Sequence, residues 1–140
     1  MKTKKYIDIP FELNQIGHLQ VKVNIDGVEA TFLIDTGASN TVIDIGFAHT
    51  NHLEFSSIDM QGGGVGTSEM LLYHRQIKSF KIKDFKITSF DLYATDFKHI
   101  KDSLAKKGIT EECHGVIGAD ILIAFNAKIN YKKKKLSLRK

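Results

Sequence analysis

The stretch from Leu19 to Gly37 constrains the fold more than any other part of the chain. Leu19, Val21, Val23 and Ile25 alternate with polar residues, the period of a strand with one buried face. Asp26-Gly27 then supplies a two-residue hairpin turn, and Val28 to Ile34 returns as a second strand. That strand ends in the apolar run Phe32-Leu33-Ile34 and passes straight into Asp35-Thr36-Gly37. A carboxylate here, where the chain must turn, is costly unless it is hydrogen-bonded or has chemical work to do. Taken alone, Asp before Gly reads as a turn residue bonding its own backbone.

Strand signals dominate elsewhere too. Ile7, Ile9, Phe11 and Leu13 alternate around Pro10, which suits an edge strand. Thr41-Val42-Ile43 is a short apolar segment, and the residues from Ile45 to Leu53 are expected to hold one or two helical turns. From Phe55 to Tyr93 successive hairpins are expected, the first around Gly62 to Gly66, with later segments at Met70 to Tyr73, Phe80 to Ile82 and Phe85 to Phe90. Between Asp96 and Lys107 the period becomes helical: Phe97, Ile100 and Leu104 share a face, Asp96 caps the start and Gly108 ends it. A last hairpin is expected around Lys132 to Lys135, between two alternating segments. With 140 residues, no linker, no low-complexity tract and no clear repeat, the chain is expected to form one mostly β domain over residues 1–140.

Composition narrows the function classes. The chain is 42% hydrophobic and 26% charged, as in ordinary soluble proteins, and no stretch has the apolar length that spans a bilayer. Tyr6 to Glu12 interrupts any signal-peptide core after the basic start, so a cytoplasmic location without a membrane partner is the default expectation. Cys113 is the only cysteine, which excludes an internal disulfide and a thiolate metal cluster. His114 lies beside it, but neighbours on an extended chain point to opposite faces and do not form a nucleophile–base pair. Among six histidines, His49 and His52 are three apart, with no third ligand in their local pattern, so they read as a surface pair. No metal or cofactor is expected. The net charge of +4 gathers at the two ends, where Lys132 to Lys135 reads as a solvated turn rather than a nucleic-acid site.

The flanks of Asp35 change its reading. Small residues Ala38 and Ser39 follow it, and a second apolar-glycine run, Val116-Ile117-Gly118, lies far downstream. Together, Phe32 to Asp44, the glycine-rich segment 62–66 and Gly115 to Leu122 strongly resemble the retropepsin-like aspartic proteases, in particular their single-domain bacterial members. The resemblance runs in matching order from about Leu19 to Leu138 and implies an all-β, closed-barrel-like acid protease fold with one or two short helices. It implies that Asp35 is the catalytic carboxylate, that Thr36 bonds across the active site to its counterpart, and that Gly37 allows the tight turn and turns its N–H to the carboxylate. Ala38 and Ser39 would open the substrate cleft, and Val116, Ile117 and Gly118 would cross behind the catalytic loop, with Val116 or Ile117 touching substrate. Gly64, Val65 and Gly66 would belong to a flap tip closing over a peptide or protein substrate.

The chemistry such a family performs needs two carboxylates, one to take a proton from water and one, protonated, to donate to the scissile carbonyl. Held about 3 Å apart they cannot both be ionised, so they share one proton. The chain carries one Asp-Thr-Gly; its nearest rival, Asp44-Ile45-Gly46, lacks the hydroxyl residue. An active aspartic endopeptidase is therefore expected to be a homodimer, unless another partner supplies the second Asp. The alternative is a catalytically silent peptide-binding or dimerisation module of the same fold; a nucleic-acid role through the basic ends is a further one. Two departures matter. Ala38 brings no hydroxyl to the carboxylate, which is expected to move activity toward mildly acidic or neutral pH. Retroviral members carry charged residues just after the motif and an Arg after the second glycine. Here Ser39, Asn40 and Ala119 stand instead, which leaves the dimerisation mode open and Asp120 to bond Ser39 or the backbone.

Overall fold

The structure is a computed structural model and describes residues 5–58, 72–108 and 112–140, without the side chains of Ile100 and Leu104. Eleven strands and three helices follow in order among these residues. They are β1 (Ile7–Pro10), β2 (Glu12–Leu13), β3 (Leu19–Ile25), β4 (Val28–Ile34), β5 (Val42–Asp44), α1 (Ile45–Thr50) and β6 (Ser56–Ile58). After them come β7 (Leu72–Ile82), β8 (Phe85–Thr95), α2 (Lys98–Lys106), β9 (Gly115–Ile117), α3 (Ala119–Ala124), β10 (Lys128–Asn130) and β11 (Lys135–Leu138).

The β3–β4 hairpin takes the register its sequence implies, from Ile25 opposite Val28 to Leu19 opposite Ile34. Asp26 and Gly27 both have positive φ, the two-residue turn that matches strand twist. Pairing then runs β3-β4-β9-β5-β8-β7, and β7 returns to β3 through Val23 opposite Ile82. Six strands thus close into a barrel, with β2 and β6 added outside the ring. Val21, Val23 and Ile25 from β3 fill its interior with Phe32 from β4 and with Ile77, Phe80 and Ile82 from β7, where the alternation breaks once between Ile77 and Phe80. Phe32 and Phe80 stand edge to face at 5.8 Å, and each such fully buried side chain contributes about 1.5–3 kcal/mol.

Several expected segments are longer or tied differently. The separate runs at 80–82 and 85–90 are parts of two eleven-residue strands, because the polar residues between the apolar ones sit on the outward face. The edge strand β1 pairs with β11, and β11 with β10, so the two ends of the chain make a second, three-stranded sheet. Its final hairpin turns at 131–134, through the lysine run. Ile9 and Phe11 are buried there, while Leu13 stays exposed. At α2, Asp96 accepts the Lys98 N–H, and Gly108 at φ 75° returns its N–H to Ala105. No helix among the described residues is long and apolar enough to cross a membrane.

Candidate active site

β9 lies between β4, which runs parallel to it, and β5, which runs antiparallel. The chain from β4 to β5 must therefore pass over the end of β9, and residues 35–41 make that passage. Asp35 continues the ladder by one step, donating its N–H to the Ile117 carbonyl at 2.9 Å, and then leaves the sheet. The core holds the strand behind it and the loop lifts the carboxylate into solvent: Phe32 is fully buried, Asp35, Thr36 and Gly37 are exposed.

The loop is hydrogen-bonded throughout. Gly37 N–H donates to Asp35 Oδ1 at 2.9 Å, and Ala38 N–H to the Asp35 carbonyl at 3.1 Å. Gly37 does not occupy the left-handed region; it supplies room, since a Cβ there would stand 3.3 Å from Asp35 Oδ1. Among the described residues the Asp35 side chain accepts this one hydrogen bond and has no cationic partner. Farther along, the Ala38 and Ser39 carbonyls accept the N–H groups of Ala119 and Asp120, at 2.7 and 3.2 Å. Gly118 lets this contact form, because a Cβ there would fall 2.7 Å from the Asn40 carbonyl and 2.8 Å from that of Ala38.

The residues singled out in the sequence separate into three groups. Asp35, Thr36, Gly37, Ala38 and Ser39 share one loop, and Val116 is half-buried one position from the end of the β4–β9 ladder. Ile117 differs: its side chain is fully buried in the core and has no surface to offer a substrate, while its carbonyl anchors Asp35. The third group, Gly64, Val65 and Gly66, lies outside the described residues, as does the rest of the glycine-rich segment.

Three further residues belong here. Leu33, half-buried, stands beside Val116 on the face opposite Phe32 and Ile34, two residues before Asp35. Alternation along β4 carries that signal. Thr41 is completely buried, and its N–H and hydroxyl both donate to the Asp120 carboxylate, at 3.0 and 2.7 Å. The Thr41 oxygen in turn accepts the Gly118 N–H at 3.0 Å. Asp120 therefore bonds Ser39 through its backbone and Thr41 through its side chain. A pairing of residues 79 apart leaves no mark in a local pattern.

The rival aspartate, Asp44, has a different role. It caps α1, accepting Gly46 N–H at 3.3 Å, and it also accepts Phe97 N–H at 3.2 Å and Lys101 Nζ at 2.6 Å. Burial pushes its carboxyl upward, but the Lys101 hydrogen bond and charge and the two N–H donors outweigh that and hold it below the ordinary carboxylate range. Cys113 and His114 part as expected. The Cys113 thiol, pushed up by burial, points to the Gly115 carbonyl, while His114 Nδ1 accepts the Thr31 N–H at 2.9 Å. The His114 ring stacks on Phe47, with centroids 3.9 Å apart. Among the described residues no three His, Cys, Asp or Glu side chains converge on a metal-sized site.

Comparison with known proteins agrees with this architecture. A retropepsin-like aspartic protease from Rickettsia conorii superposes with a TM-score of 0.60, at 16% identity over 99% of this chain and 95% of that one. The retroviral protease-like domain of Ddi1 from Leishmania major gives 0.59, at 19% identity over 86% of this chain and 87% of that one. These likenesses establish a retropepsin-like fold, a six-stranded closed barrel with short helices. No curated protein sequence matches significantly. The family model described as aspartyl protease matches residues 21–121, from the middle of β3 to the first turn of α3, and so takes in the Asp35 loop, β9 and the start of the helix that holds that loop. The chain belongs to the aspartyl protease family.

Proposed function

We propose that the protein is an aspartic endopeptidase whose active site forms when two copies bring their Asp35 loops together. The observation that carries this reading is the state of Asp35: an exposed carboxylate on a loop anchored to a buried sheet, with one backbone N–H as its partner among the described residues. A structural aspartate in this protein looks like Asp44, buried and saturated with donors. Membership of the aspartyl protease family supports the same assignment.

In the dimer the two carboxylates share one proton. The ionised Asp35 removes a proton from water as the water oxygen attacks the scissile carbonyl carbon. The protonated one donates to the carbonyl oxygen, giving a neutral tetrahedral diol. Collapse of the diol breaks the C–N bond as the protonated carboxyl delivers its proton to the departing nitrogen and the ionised one takes a proton from a diol hydroxyl, which restores the shared proton. Thr36 from each copy braces the pair, and Ala38, Ser39, Leu33 and Val116 border the cleft that takes an extended peptide. No cofactor enters this scheme.

The test is cleavage of an unfolded protein or peptide library from pH 4 to 8 by the wild type and by Asp35→Asn, with sedimentation over a range of concentrations. Cleavage confined to the wild type and tracking the dimer is the expected result. Cleavage by both, or by neither, sinks the protease reading; loss of cleavage by both leaves the silent-module alternative. A species that cleaves as a monomer removes the dimer.

A further inference from the structure

We propose that Thr41 and Asp120 are positioning residues for Asp35, acting through the loop that carries it; this rests on the catalytic reading of Asp35. The loop 35–41 has two feet. At the first, the Asp35 N–H is fixed to Ile117 by the sheet. At the second no sheet partner exists until Val42, and a side-chain clamp takes its place. The Asp120 carboxylate accepts the Thr41 N–H on one oxygen and the Thr41 hydroxyl and Ile121 N–H on the other. The Thr41 oxygen accepts from Gly118, so each side-chain polar atom of this part-buried knot is paired.

The knot specifies a carboxylate and a hydroxyl, rather than polar groups in general. All three donors meeting Asp120 point at it, so an amide at 120 must set one N–H against another N–H. Valine at 41 keeps the shape of threonine but leaves both Asp120 Oδ1 and the Gly118 N–H short of a partner. Without the clamp, residues 38–41 are held to the start of α3 only by the Ala119 and Asp120 N–H groups, and the turn joining Ala38 N–H to the Asp35 carbonyl loosens with them. Two events follow at Asp35. The carboxylate leaves the alignment that water attack requires, where a 1 Å error costs on the order of a hundredfold. It also loses the Gly37 N–H that fixes the orientation of its Oδ1.

The experiment compares wild type, Thr41→Val, Thr41→Ser, Asp120→Asn and Asp35→Asn at protein concentrations where sedimentation gives the same oligomeric state. Ile77→Val, in the core away from the loop, serves as a control for lowered stability. For Thr41→Val and Asp120→Asn, kcat is expected to fall at least about tenfold with KM within about twofold. Amide exchange at Gly37 and Ala38 is expected to accelerate in both, and Thr41→Ser to recover most of the loss. Retention of wild-type kcat by the clamp variants, while Asp35→Asn is inactive, overturns the positioning role alone. So does a loss no larger than the unfolded fraction explains, as in Ile77→Val. Cleavage that survives Asp35→Asn, or its absence in the wild type, overturns the catalytic reading and this role with it.

Discussion

Asp35-Thr36-Gly37 and Asp44-Ile45-Gly46 are nearly the same local structure with opposite fates. In both, the glycine N–H donates to the aspartate Oδ1 two residues earlier, at 2.9 and 3.3 Å. They sit nine positions apart, Asp35 at the start of the passage over β9 and Asp44 at the far end of β5. Asp44 is 3% exposed and is held by Lys101 of α2 and by Phe97, the residue just before that helix. Asp35 stands in solvent with nothing else on it among the described residues. The Asp-x-Gly turn does not decide whether an aspartate is structural or reactive; what the rest of the fold places against the free carboxylate oxygens does.

The comparison can be broken most sharply at Asp35 itself. Asp35→Asn is expected to lower kcat by on the order of a thousandfold or more while changing stability by less than about 0.5 kcal/mol, measured by peptide cleavage and urea unfolding. Asp44→Ala should do the reverse, costing about 3 kcal/mol through the lost helix cap and charged hydrogen bonds, with residual activity following the folded fraction. A large stability loss in the first variant, or none in the second, would collapse the distinction.

Acid provides a finer separation. Asp44 is held below its ordinary value, so its stabilisation is complete above about pH 4 and is lost as pH falls through the folded value. His114 acts in a different window. Burial, with the charges of Lys101 and Lys22, pushes its ring below the ordinary value, against the opposing pull of Glu112 and Asp44. The unfolded chain therefore binds the extra proton first, and the neutral ring's contribution is complete above about pH 6.5 and is lost on acidification. Protonation also ends the acceptance of the Thr31 N–H, worth on the order of 1 kcal/mol. Thermal unfolding from pH 7 to 5 should thus be less pH-dependent in His114→Asn than in the wild type, and equal slopes would remove the assignment. The smallest effect expected is at Ala38→Ser, where a hydroxyl beside Asp35 should move the pH optimum downward by a few tenths of a unit. An unchanged or raised optimum would show that the loop backbone alone sets it.

How much of this was legible in the sequence varies with the range of the interaction. The β3–β4 hairpin was readable to the residue, because alternation and the Asp26-Gly27 turn act between neighbours. The Asp35 loop was readable through its resemblance, and the assignment of Asp44 as an unsuitable rival rested on one missing hydroxyl. The merging of the segments around 80–90 into long strands was missed, since polar residues facing outward look like interruptions until the face is known. The burial of Ile117 was missed as well: with Val116 it forms one apolar run, and only its place in the barrel tells the inward side chain from the outward one.

By itself the sequence determined the strand periods, the turn at Asp26-Gly27, the helix boundaries near Asp96 and Gly108, and the single Asp-Thr-Gly. These depend on backbone preferences and on spacing within one element. Only the tertiary structure decided that β7 closes on β3, that Thr41 locks onto Asp120 across 79 positions, and that Lys101 and Phe97 saturate Asp44 while Asp35 stays open. The physical reason is that such contacts join groups whose separation along the chain carries no information about their separation in space. They exist because the closed, hydrophobically packed barrel brings those groups within hydrogen-bonding distance.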